Sequence, residues 1–185
     1  MSETRRLPRN ERRAQLLAVA ASVFLDGGYD GTSMEQVAEA AGVTRLIVYR
    51  IFESKEALYR AVLASVTDRL REEWESSGPA GIAAVLVRVA REQPDAFRLL
   101  WRHASHEPPF AVEAEAFRLI VADFASAIIE PLVTDRTMRR WASTALVDHL
   151  YGGVCTWLDV GDATRDDEFA ETLRSGLRAM VTAWS

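Results

Sequence analysis

Thr44 and Arg45 stand directly behind a Gly42-Val43 pair, Leu46, Tyr49 and Arg50 follow within two turns, and Lys55 comes after Ser54. These residue types at this spacing can hold a DNA duplex. An arginine at the start of a helix laid in the major groove can take guanine O6 and N7 together. Tyr49 lies one turn further on, where its hydroxyl would reach a phosphate. Lys55 falls at a helix N-terminus, whose unpaired N–H groups and positive dipole end also attract phosphate. Thr32 and Ser33, at the start of the preceding helix, can do the same, and such contacts fix register without reading sequence. Each residue has a plainer reading beside it: Tyr49 as a structural aromatic, Arg45 and Lys55 as solvated charges, Thr44 as a helix cap.

Other chemistries find less support. His103, His106 and Glu107 form an HxxHE run, but it sits beside Pro108-Pro109 and lacks further ligands, so it reads as a surface or capping feature. Asp148 and His149 are adjacent on a helix, where neighbouring side chains diverge, and make no dyad. No catalytic residue, metal or cofactor is assigned.

The elements that must position the first set are helical. No stretch alternates apolar and polar residues as a half-buried strand would, and the expected class is all-α. A first helix starts near Arg9 or Asn10, places Leu16, Leu17, Ala20 and Phe24 on one face, and stops at Gly27-Gly28. Thr32 and Ser33 cap a helix over 34–41, with Val37, Ala38 and Ala41 inward. Thr44 caps a second short helix over 45–52, and Ser54 a longer one over 55–76. Val37, Val43, Val48, Phe52 and Leu58 fall between these helices and are assigned to packing. Two short helices joined by the tight Gly42-Val43 turn make a helix-turn-helix pattern, whose second helix enters a major groove. A Ser-Ser-Gly-Pro break at 76–79 separates this front from the rest, where helices are expected at 80–92, 94–105, 110–131, 135–160 and 166–184.

The run TSMEQVAEAAGVTRLIVYRIFESKEALYRAVL, preceded by FLDGGYDG, resembles the N-terminal domain of the TetR family of bacterial transcriptional repressors. The matching landmarks are Phe24, Gly27-Gly28-Tyr29, Thr32, Val37-Ala38, Ala41-Gly42-Val43, Tyr49, Phe52, Ser54-Lys55-Glu56 and Leu58. The resemblance covers residues 11–60. It implies a DNA-binding domain over 1–54, with a flexible basic arm over about 1–9, and a helical effector-binding and dimerisation domain over 55–185. It also implies a homodimer that binds a palindromic operator and lets go when a small molecule enters the C-terminal domain. Leu46 and Ile47 depart from the small or polar residues usual early in that helix, and Ile51 from the His or Tyr often found just before its final Phe: Leu46 or Ile51 either meets thymine methyl groups or turns inward. Arg5, Arg6, Arg9, Arg12 and Arg13 form either an arm on DNA or a disordered basic tail.

The 185 residues carry a net charge of −5, which would ordinarily argue against nucleic acid. Residues 1–60 nevertheless hold nine basic against eight acidic side chains, and Lys55 is the chain's one lysine. A single cysteine, Cys155, excludes a disulfide framework and points to a reducing, cytoplasmic setting. No window approaches the roughly 20 uninterrupted apolar residues of a membrane helix, and no signal peptide is read at the start. The back half is rich in aromatics. A family-like pocket for an apolar or aromatic effector would draw on Phe97, Trp101, His103, Phe117, Val121, Phe124, Trp141, Ala145, His149 and Cys155, each of which also has a plain core reading. The two final helices are the expected dimer surface, through Leu150, Gly152, Gly153, Val154, Trp157, Leu158, Leu173, Leu177 and Trp184. Two alternatives stand beside this reading: a DNA-binding regulator controlled by a protein partner or acting constitutively, and, with little in the sequence to support it, an enzyme.

Overall fold

The computed structural model describes residues 8–78 and 81–184, and every regular element among them is helical. Arg5 and Arg6 of the expected arm, and Pro79 of the expected break, lie outside the described residues. Helix α1 (Arg9–Gly31) buries Leu16, Ala20 and Phe24 as their spacing predicts, with Ala21 buried beside them and Leu17 half-buried against the core. Its regular course ends where glycine was expected to end it: Gly28 has φ 68°, and one further turn follows before Thr32. Arg9, Arg12 and Arg13 belong to the first turns of this helix and not to a free arm, a correction with a visible cause. Arg12 donates to Gln15 at 2.7 Å, and the Arg13 guanidinium lies 4.8 Å from the Phe52 ring centroid.

Helix α2 (Met34–Ala40) opens on a reciprocal cap. Ser33 Oγ accepts from the Gln36 N–H at 3.2 Å, and Gln36 Oε1 accepts from the Ser33 N–H at 2.7 Å. Such a cap contributes about 1 kcal/mol. Gly42, at φ 65°, turns the chain into α3 (Arg45–Ile51), and Val37, Val48, Phe52 and Leu58 are all buried between the helices. Helix α4 (Lys55–Ser77) starts on a Ser54 cap and leaves the front of the molecule. It packs on α1 and then on α5 (Ile82–Glu92), so one continuous cluster of buried side chains runs from Leu16 to Leu173.

The single helix expected over 94–105 is instead α6 (Pro94–Arg98), a π-helical turn over Leu99–His103 and a 3-10 turn over Ala104–His106. The irregular turn buries three consecutive side chains, Leu99, Leu100 and Trp101, which one face of an α-helix would not accommodate. Its Trp101 carbonyl accepts from Arg118 at 2.6 Å. Helix α7 (Ala111–Ile129) lies along α8 (Arg136–Val160), and α9 (Asp166–Trp184) packs on α5 and α8.

Gly161, which ends α8, is covered by Trp157. That indole stacks on Phe169 at 4.5 Å and donates to Asp166 at 2.7 Å, while Asp166 also accepts from Arg91. A Cβ at Gly161 would lie 2.2 Å from the indole, which its stack and hydrogen bond keep from moving aside. Gly161→Ala is therefore expected to lower stability by about 1–3 kcal/mol in chemical denaturation, with an altered tryptophan emission.

Candidate nucleic-acid interface

The buried Val48 and the Phe52 that follows it fasten α3 to the core and leave its opposite face in solvent. On that face stand Thr44, Arg45, Leu46, Tyr49 and Arg50, all exposed, with Leu46 at 68%. The Thr44 side chain makes no capping hydrogen bond, so its hydroxyl stays available. Leu46 points outward, whereas Ile51 is half-buried against the core, and this divides the two residues that the sequence left open.

Arg45 does not wave freely. It pairs with Glu35 of α2, donates to the Tyr49 hydroxyl at 3.3 Å, and lies 5.0 Å from the Tyr49 ring centroid. The Tyr49 hydroxyl first, and then the Glu35 charge, raise the guanidinium pKa further. Sequence reasoning did not single out Glu35; its ten-residue separation from Arg45 becomes proximity only once the two helices cross.

Thr32 requires correction. It is 3% exposed and donates to the Val23 carbonyl at 3.2 Å, so its hydroxyl closes the end of α1 and cannot reach a phosphate. Ser33 is half-buried and its Oγ caps α2. Lys55 is half-buried over Tyr29: its ammonium donates to the Tyr29 carbonyl at 2.7 Å and sits 4.2 Å from the ring centroid. The Tyr29 N–H in turn donates to Glu107 Oε1 at 3.0 Å. Glu107, first met as part of an HxxHE run, thus ties the connection before α7 to the end of α1. Phe110 completes the joint, meeting Tyr29 edge-on at 4.8 Å and stacking on Tyr59 at 4.2 Å. Burial, and then the Glu56 charge, raise the Tyr29 phenol.

The residues expected around an effector fall into several different surroundings. Phe97, Trp101 and Phe117 surround Tyr151, whose ring stacks 5.7 Å from Phe97 and 4.3 Å from Trp101. Val121 is half-buried against the same core, and Ala145 is half-buried. Cys155 is fully buried, and that burial pushes its thiol up to about 11. His103 and His149 are exposed, Phe124 rests on Trp74, and Trp141, 53% exposed, meets Trp184 edge-on. Two grooves, one between α5 and α9 and one between α1 and α6, contain none of these residues.

The expected dimer residues are corrected in part. Leu150, Val154 and Leu173 are buried in this chain's own core, because α9 lies on α8 and must be held there. Gly153 faces Leu173, Trp157 is engaged by Phe169 and Asp166, and Leu158 and Leu177 are half-buried on the core. Trp184 is half-buried against Trp141. Gly152 alone opens onto free space.

Residues 16–62 match the family model of bacterial regulatory proteins, tetR family. The chain is 49% identical over 65 residues to the HTH-type transcriptional activator FasR of Mycolicibacterium smegmatis, a stretch covering 35% of this chain and 30% of that protein. It is 35% identical over 96 residues to the HTH-type transcriptional regulator RutR of Escherichia coli, covering 48% and 45% respectively. The chain therefore spans less than half the length of either relative. The crystal structure of a TetR-like transcriptional regulator from Rhodococcus sp. RHA1 superposes with a TM-score of 0.71 at 22% identity, over 92% of this chain and 95% of that one. This likeness extends the shared fold beyond the front domain.

Proposed function

The chain belongs to the TetR family through its N-terminal helix-turn-helix domain, and from that premise we propose that it is a transcriptional regulator, a repressor that binds a palindromic operator as a homodimer. The observation that carries this reading is α3: fastened by Val48, it presents Thr44, Arg45, Leu46, Tyr49 and Arg50 to solvent together. Arg45 reads guanine, Leu46 meets thymine methyl groups, and Tyr49, Arg50 and Lys55 hold phosphates. Lys55 keeps spare ammonium donors beyond the one given to Tyr29. The front unit, 1–54, reads DNA; the back unit, 55–185, pairs the chains and sets their spacing.

The exposed face of α8 supports pairing. Trp141, Ala145, His149 and Gly152 follow one another at helical spacing, and His149 lies over Gly176 of α9. A pair of chains on a palindrome needs its two reading helices on successive major grooves, roughly 34–36 Å apart. Gly152→Glu tests pairing through this face. Its side chain enters open space in one chain, so the fold should persist. Sedimentation is expected to find monomers, with dimer affinity weakened by on the order of 100-fold, because a buried, unpaired charge is costly. If the variant pairs like the wild type, this face is not the interface.

A small apolar or aromatic effector would act by changing the joint at Tyr29, Lys55, Glu107 and Phe110, which links the back unit to the start of α4. A second reading, control by a partner protein, is favoured by the filling of the Phe97–Trp101–Tyr151 stack and by Leu119, Ile120, Phe124 and Ile128 standing exposed on α7.

A further inference from the structure

We propose that Arg13 holds a backbone phosphate at the edge of the groove that α3 reads, as a fixed contact supplied by α1. The inference rests on the assignment of α3 as the reading helix. The Arg13 guanidinium lies 4.8 Å from the ring centroid of Phe52, the residue that ends α3. Phe52 is held in the core, and Arg13 is exposed, so the arginine is seated on the ring from outside. Among the described residues its N–H groups have no hydrogen-bond or ion-pair partner, whereas those of the neighbouring Arg12 are engaged by Gln15.

Most arginines of the back unit are neutralised by a carboxylate beside them: Arg60 by Glu113, Arg91 by Asp166, Arg98 by Asp159 and Arg118 by Asp148. Arg13 keeps its whole charge. Helix stability does not call for basic residues there, since cations near a helix N-terminus oppose the dipole, and Glu11 is the one acidic residue in the first turn of α1. A chain with a net charge of −5 docks on a polyanion only where uncompensated cations gather. The aromatic seat also prepares the contact. Stacking engages the face of a guanidinium and leaves its N–H donors at the rim free for phosphate oxygens. Because the side chain is already held, less rotamer freedom is lost on binding. The reach is suitable as well. Arg45 opens the 7-residue α3 and Phe52 directly follows it, a span of roughly 10 Å along the axis, against a major groove about 12 Å wide. With Arg45 on the groove floor, a cation fixed at Phe52 meets the sugar-phosphate wall. Such a contact adds affinity at every sequence alike and fixes register without reading bases.

The test uses the full chain and two probes: a random-sequence duplex pool, and the duplex that the wild type enriches most from that pool. Affinity for each is followed by fluorescence anisotropy at several salt concentrations. Arg13→Met removes the charge but still covers Phe52 with an unbranched apolar chain. It is expected to weaken both probes by the same factor, about fivefold for each bound chain, and to flatten the salt slope by about one for each bound chain. Arg13→Lys, which returns the charge, should return the slope. Wild-type affinity and slope in Arg13→Met would overturn the proposal. So would weaker binding with the slope unchanged, which would assign Arg13 to packing on Phe52 alone, or a loss confined to the enriched duplex, which would make it a base reader. If the wild type enriches no sequence, the assignment of α3 falls, and the slope on the random pool still decides whether Arg13 holds a phosphate.

Discussion

Phe110→Ala is expected to lower the unfolding free energy by about 3–5 kcal/mol, the range for deleting a large, fully enclosed aromatic ring. The ring has no exposed surface. It stacks on Tyr59 with centroids 4.2 Å apart, meets Tyr29 edge-on at 4.8 Å, and has the Arg60 guanidinium 5.4 Å from its centroid. Each aromatic pair adds about 0.5–1.5 kcal/mol beyond area burial, and the cavity left behind could close only by moving α1 or α4. Tyr59→Phe provides the contrast. Its ring pairs would survive, whereas the deleted hydroxyl is buried and has no hydrogen-bond partner among the described residues. That change is expected to leave stability equal or higher by about 1 kcal/mol, since an unsatisfied buried group disappears. Urea denaturation monitored by circular dichroism separates the two cases. A Phe110→Ala cost below about 1.5 kcal/mol would mean that the joint between front and back units is not packed as described.

Arg45→Ala is expected to cost about 1–3 kcal/mol at the enriched duplex and to relax preference at one base position in each half-site. Fluorescence anisotropy against duplexes varied one position at a time measures both. The effect should be confined to discrimination, because Arg45 is exposed and supports no core contact. Lys55→Ala would behave differently. It should weaken all duplexes similarly and flatten the salt slope by about one. It should also lower stability, since the ammonium holds the Tyr29 carbonyl and lies over its ring. Uniform weakening by Arg45→Ala, with preference intact, would move Arg45 from base reading to phosphate holding.

The front half was largely legible from sequence because its instructions are local. Gly28 and Gly42 adopt the positive φ that ends one helix and turns another, and Ser33 and Ser54 cap where caps were expected. The apolar spacing of Leu16, Ala20 and Phe24 fixed the buried face of α1. What was not legible depends on distant pieces of chain. Nothing in the spacing of Tyr29 and Glu107, 78 residues apart, announces their hydrogen bond. Thr32 looked like a free hydroxyl until α1 curled back and offered the Val23 carbonyl. In the back half, periodicity identified apolar faces without saying what covers them. Leu150, Val154 and Leu173 hold α9 to α8 within one chain, while Trp141 and His149, expected around an effector, stand on the outside. Phe110, just before α7, is enclosed, but Phe124 and Ile128 further along that helix are about half exposed. Its inward contacts there come from Ala122, Ala125 and Ile129.

The central claim is that this chain reads a specific duplex through α3, and the most direct measurement is selection from random duplex DNA, followed by affinity for the enriched sequence at several salt concentrations. The account predicts an inverted repeat with half-site centres about one helical turn apart, bound by two chains. It further predicts that affinity falls with rising salt as the phosphate-holding residues require, while remaining about 10³-fold or more above that for unselected duplex. Enrichment of no sequence, with affinity at the unselected level throughout, would contradict it.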